Sequence, residues 1–234
     1  MRVRFHFGRR VGRAARVQSE ASVSAGPAYF ELMRHYEACL NRHGDSNRGV
    51  DWPDWKDAET RYTVMLDLLA EKREGASLLD VGCGAGHLLE HIRRHDHRID
   101  YSGLDISPAF IDLCRRKFPE HRFECLDLLV DDRLGETFDY VVMNGVFTER
   151  VGMTEDEMWD FFTRMVERAF DRCRIGAAFN VMSKHVDWER EDLFHVPYDR
   201  MAEFVGRLSR HYRFRADYGL YEFTTYVFRT PNVV

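Results

Sequence analysis

The chain has 234 residues, enough for one α/β domain with some elaboration and few for two. Hydrophobic residues make up 44% and charged residues 31%, and no apolar run reaches the roughly 20 residues of a membrane-spanning helix, which excludes an integral helical membrane protein. A net charge of −5 argues against a surface given over to nucleic acid. Cys39, Cys83, Cys114, Cys125 and Cys173 are odd in number and lack a C-x-x-C pair, so they read as reduced thiols of a cytoplasmic protein without a zinc site.

Residues 1–26 carry Arg2, Arg4, Arg9, Arg10, Arg13 and Arg16, with no acid before Glu20. Without an apolar stretch this is not a secretory signal; it reads as a basic, disordered tail, with a transit peptide or a basic arm as alternatives. Next, Tyr29, Phe30, Met33, Tyr36 and Leu40 recur at helical spacing and predict an amphipathic helix over 28–40. The polar stretch 41–55 includes Trp52 and Trp55, aromatics that a solvated loop seldom leaves unburied, so it is expected to fold over a cleft. Tyr62, Met65, Leu66 and Leu69 mark a second helix over 58–70.

The run Leu78-Leu-Asp-Val-Gly-Cys-Gly-Ala-Gly-His-Leu-Leu-Glu90 reads as strand, tight turn and helix. Gly82, Gly84 and Gly86 permit positive φ and leave bare backbone for a ligand, while the following helix start offers free N–H groups, so a nucleotide-like ligand belongs here. The nicotinamide pattern G-x-G-x-x-G fails, because its third glycine falls on His87. Asp80, just before the turn, repels pyrophosphate and attracts a cation. A second strand, 101–104, ends at Asp105, some 20 residues on, where a carboxylate is placed to accept both hydrogen bonds of a ribose diol. Further strands are expected at 122–125, 138–144 and 175–182. Thr154 and Glu157 form a capping box for a helix of about five turns, and after a helix through Met201 to Leu208, residues 212–216 and 223–229 suit an antiparallel pair.

The glycine segment closely resembles the first motif of the class I S-adenosylmethionine (SAM) methyltransferases, and Gly103-Leu-Asp-Ile-Ser-Pro108 resembles their second. The resemblance implies an α/β, Rossmann-like, doubly wound seven-stranded sheet, mostly parallel with an antiparallel last strand, plus an N-terminal helical cap. The chain then divides into the tail 1–26, a cap 27–72 and a SAM-binding core 73–234. It implies that Asp80 orients the cationic end of SAM, that Gly82, Gly84 and Gly86 pack beneath its methionine and ribose, and that Asp127 accepts from the adenine amine. Asn144 falls where the family places groups beside the transferring methyl. Cys83, Ile106 and Leu128, with Trp52 and Arg61 of the cap, complete the expected cofactor set.

Methyl transfer to a hydroxyl gains from a general base. The expected base is His185, in a loop just past a buried strand, with Glu149 after the fourth strand as a second candidate. His87 and His91 stand four apart on one helix with His95 and His97 nearby, but no third ligand is evident in the sequence, so no metal is expected. The function expected is methylation of an oxygen of a small molecule or sugar. Two alternatives stay open: an RNA or protein methyltransferase using the basic arm, and a SAM-binding regulatory protein without turnover. Acceptor identity and oligomeric state are not written in these residues.

Overall fold

The computed structural model describes residues 27–69, 74–95 and 98–231. The Arg-rich stretch 1–26, His97 and the expected boundary at 72/73 lie outside them. Chain order runs α1 (Phe30–His43), a 3₁₀ turn (Asn47–Val50), α2 (Trp55–Leu66), β1 (Ala76–Val81), α3 (His87–Arg94), β2 (Ile99–Asp105), α4 (Pro108–Lys117), β3 (Arg122–Cys125) and β4 (Phe138–Phe147). It continues through α5 (Glu155–Asp171), β5 (Cys173–Ser183), β6 (His195–Val196), α6 (Tyr198–Leu208), β7 (His211–Arg215) and β8 (Glu222–Phe228).

The strands form one sheet in the order β3-β2-β1-β4-β5-β8-β7, with β6 paired to β5. β8 runs antiparallel to both neighbours, while the pairs from β3 through β5 are parallel. The central strands are covered on both faces, which is why β4 and β5 read as nearly continuous apolar runs. On one face α2, α3 and α4 pack through Tyr62, Met65, Leu88, Ile92 and Ile111. On the other, α5 and α6 pack through Met158, Phe162, Val166, Met201 and Phe204. α5 starts on the expected capping box, with Glu157 N–H donating to Thr154 Oγ and Thr154 N–H to Glu157.

The seven expected strands make the path of the sheet, and among the described residues the two-residue β6 adds a short eighth beside Met182 and Ser183. One expectation changes. β4 does not stop at Asn144 but continues to Phe147 across a register shift against β5, so Asn144 and Gly145 sit on a distorted strand end and not on a free loop. Strand order reverses between β1 and β4, which opens a crevice at their C-terminal ends, where open α/β sheets bind ligands.

Candidate functional site

A half-open cavity lies in that crevice. Its floor is Asp80 and Val81 of β1, Gly82 to Ala85 of the following turn, Asp105 and Ile106 after β2, and Asp127 and Leu128 after β3. Asn144, Gly145 and Val146 form its end, and Tyr29 at the N-cap of α1, Leu32, Met33 and Tyr36 of that helix, with Val50 and Trp52, form its roof. Gly86 and Arg61 are not among the lining residues.

The turn after β1 is held from below. Gly82 N–H and Cys83 N–H both donate to Leu104 C=O, at 2.7 and 3.1 Å, and Gly82, Gly84 and Gly86 take φ of +75°, +51° and +75°. A Cβ on Gly82 would lie 2.5 Å from Val146, so glycine there lets β1 and β4 close up. Gly86 has a different task from the one expected: a Cβ would meet Phe118 at 2.8 Å and Cys114 at 3.2 Å, so it packs α3 onto α4 and does not face the cavity.

Asp105 uses its two oxygens to accept N–H groups of Gly84 and Ser107, each at 2.9 Å, which fixes the carboxylate at the end of β2. Burial pushes its carboxyl up, and those N–H groups oppose the shift. Asp80 is 2% exposed and accepts from Tyr101 Oη at 2.7 Å. Burial pushes its carboxyl up to about 7, with the Tyr101 bond holding it back and Asp105 adding to it. Cys83 is a buried thiol raised by its hydrogen bond with Cys114 and by burial, hence an inert wall.

Asn144 Oδ1 is buried without a hydrogen-bond partner among the described residues. A buried carboxyl poised near neutrality, an orphaned amide oxygen and bare glycine backbone form a donor set suited to a ligand that is cationic at one end and carries a diol further on. Asp127 is more committed than expected: Leu129 N–H reaches one oxygen at 2.9 Å and the hydroxyl of Tyr29 the other at 2.7 Å. Tyr29, whose ring stacks on Phe161 at 5.0 Å, was not foreseen as a site residue.

Trp52 lies over Gly145, where a Cβ would stand 2.7 Å from the indole. Gly145 N–H donates to Asn180 Oδ1 at 2.8 Å, and Asn180 Nδ2 donates to Glu222 at 3.2 Å. Arg61 closes this chain, its Nε 2.9 Å from Glu222, which is 1% exposed. Arg61, expected in the cofactor set, is placed on a buried carboxylate, with its guanidinium over the ring of Trp52 at 5.1 Å.

Neither expected base lines the cavity. His185 is exposed and stacks flat on Tyr198 at 4.9 Å, because residues after β5 turn back towards α6. Glu149 forms a bridge with Leu193 beside the rim; burial raises its carboxyl, reinforced by Asp192 and Asp51. Beside the lining residues Tyr36, Val50 and Trp52, though not itself lining the cavity, stands a pair the sequence did not disclose, His35 Nε2 2.6 Å from Asp51. Asp51 takes a left-handed φ of +60° between the lining residues Val50 and Trp52. The neighbouring Tyr36 reaches Gly145 C=O with its hydroxyl at 3.5 Å. Only the amphipathic spacing of α1 hinted at its part in the roof.

A family model described as "Methyltransferase domain" matches residues 79–174. Rv1506c of Mycobacterium tuberculosis, which bears a methyltransferase name, is 31% identical over 156 residues, 64% of this chain and 92% of that protein. A dTDP-4-amino-2,3,4,6-tetradeoxy-D-glucose N,N-dimethyltransferase of Saccharopolyspora spinosa is 35% identical over 113 residues, 48% of this chain and 42% of the enzyme. Among solved structures, the magnesium protoporphyrin IX methyltransferase of Synechocystis PCC 6803 with bound SAM superposes with a TM-score of 0.65 at 15% identity, over 89% of this chain and all of that one.

Proposed function

Because this chain belongs to the class I SAM-dependent methyltransferases, we propose that it methylates an oxygen of a small-molecule or sugar acceptor held between the helical cap and the sheet edge. The observation that carries this reading is the roof: Tyr29, Leu32, Met33, Tyr36 and Trp52 stand over the cavity opposite the glycine turn, so an acceptor entering beside the cofactor meets the cap. SAM supplies a methyl group on a sulfonium, activated for in-line displacement.

Asp80 and Asn144 receive the ammonium end of the cofactor, Asp105 the ribose diol, and Asp127 with Leu128 the adenine. Gly82 and Gly84 keep the floor bare, and Cys83, Ile106 and Trp52 complete the walls. The apolar roof excludes water and fixes the acceptor in line, which supplies much of the rate in a displacement of this kind. His35, whose Nε2–H donates to Asp51 at 2.6 Å, keeps the lone pair of Nδ1 to accept the hydroxyl proton, directly or through a water. An amino-bearing acceptor is the second reading, in keeping with the amino-sugar substrate in the name of the Saccharopolyspora relative.

The test begins with calorimetric titration of S-adenosylhomocysteine. Wild type should bind at micromolar strength, about −8 kcal/mol, and Asp105→Ala, losing two charge-assisted hydrogen bonds, about 100-fold more weakly. A paired panel of hydroxyl- and amino-bearing sugar nucleotides then decides between the acceptor atoms. Methylation seen only with RNA or protein, falling steeply with salt, would replace the small-molecule reading; binding without turnover on any acceptor would favour a regulatory role.

A further inference from the structure

Outside this site, α2 and α3 bring together Glu59, His91 and His95, whose ligand atoms all lie within 4.8 Å of one another. The helical pair facing a carboxylate is thus His91 with His95; His87 turns away to Asp45 at 2.9 Å. The third ligand that the sequence lacked comes from α2, 32 positions before His91.

Each of the three side chains is held as a ligand would be. His95 Nδ1 stands 2.9 Å from His91 C=O, a contact that fixes the ring. Glu59 gives one oxygen to Arg94 at 2.6 Å and turns the other towards His91. His91 is 2% exposed, and its Nδ1 lies 3.2 Å from that oxygen yet off the hydrogen-bond line, without a hydrogen-bond partner among the described residues. A buried ring nitrogen beside a carboxylate but not aimed at it is the arrangement of two ligands converging on a shared ion. Partners that fix the far side of each ligand are the usual outer shell of metal sites.

We infer that Glu59, His91 and His95 bind a borderline divalent cation, zinc by preference, with water in the fourth position. Two imidazoles and one carboxylate suit zinc, cobalt or nickel over magnesium or calcium. The exposed His95 leaves a path for entry. The ion joins α2 of the cap to α3, the helix that leaves the glycine turn, and Tyr62, which packs on His91 at 5.5 Å, lines the cavity on its other side. It is a staple, separate from the methyl-transfer chemistry.

The test titrates zinc chloride alone into chelator-treated full chain. The expected result is one equivalent bound, a higher melting temperature with zinc, and cobalt spectra without a thiolate charge-transfer band. Both His95→Ala and Glu59→Gln alter accessible positions and should weaken zinc about 100-fold while leaving S-adenosylhomocysteine binding intact, which shows that they fold. Zinc binding absent from wild type at micromolar levels overturns the site and leaves a plain His–Glu pair between two helices. Zinc binding that survives both substitutions but is lost in Cys39→Ser assigns the ion to His35, Cys39 and Asp51, and overturns it equally.

Discussion

Asp80 carries its carboxyl at about pH 7 because burial outweighs the Tyr101 hydrogen bond. In an unfolded chain an aspartate titrates near 3.9. Between about pH 4 and 7 the folded protein therefore holds a proton that the unfolded chain has lost, and this group's contribution to stability falls as pH rises through that window, then stays level. An arriving ammonium reverses the balance by favouring the carboxylate. S-adenosylhomocysteine binding at pH 6.5 should accordingly release a proton, seen as a dependence of the calorimetric enthalpy on the ionisation enthalpy of the buffer. The release should vanish near pH 8.5 and in Asp80→Asn; equal enthalpies in all buffers at pH 6.5 would refute the coupling.

At the scale of elements, α2 joins β8 through one buried ion pair and through the Tyr226 hydroxyl, which donates to Val64 C=O at 2.5 Å. Glu222 is 1% exposed, and Arg61 is its cationic partner among the described residues. Arg61→Ala should cost about 3–5 kcal/mol in urea unfolding, because it strands a buried charge, and adding Glu222→Gln should recover most of that. Neither half of this pair was legible as such: Arg61 stands 161 positions from Glu222, and nothing local marks either side chain as buried. What could be read were features whose causes are local or periodic. The glycine turn, Asp105 at the end of β2, the capping box of α5 and the apolar runs of β1 and β4 each announce themselves within a dozen residues. His35 and Asp51, by contrast, meet only because the 3₁₀ turn folds back along α1. His185 was misjudged for the converse reason, since its place after a strand suits a cleft, but the loop follows α6 instead. β6, with two residues, is too short to leave a pattern.

Across the whole molecule, the cap is more than a lid resting on a sheet. It reaches the core through Arg61 to Glu222, Asp45 to His87 and Lys117, and Ser107 to Glu37. Tyr29 makes a further tie, and it is unlike these in falling on a carboxylate expected to serve the adenine. Because that phenol already occupies an oxygen of Asp127, an arriving adenine amine and the first turn of α1 draw on the same acceptor. The exchange sets a toll on passage in both directions while nearly cancelling in the equilibrium. Tyr29→Phe should thus speed both capture and escape of S-adenosylhomocysteine in stopped-flow traces, with the dissociation constant changing far less than either rate; unaltered rates would mean the phenol is a bystander. On the proposed adenine contact of Asp127, one hydroxyl group would set the protein's tempo more than its appetite for cofactor.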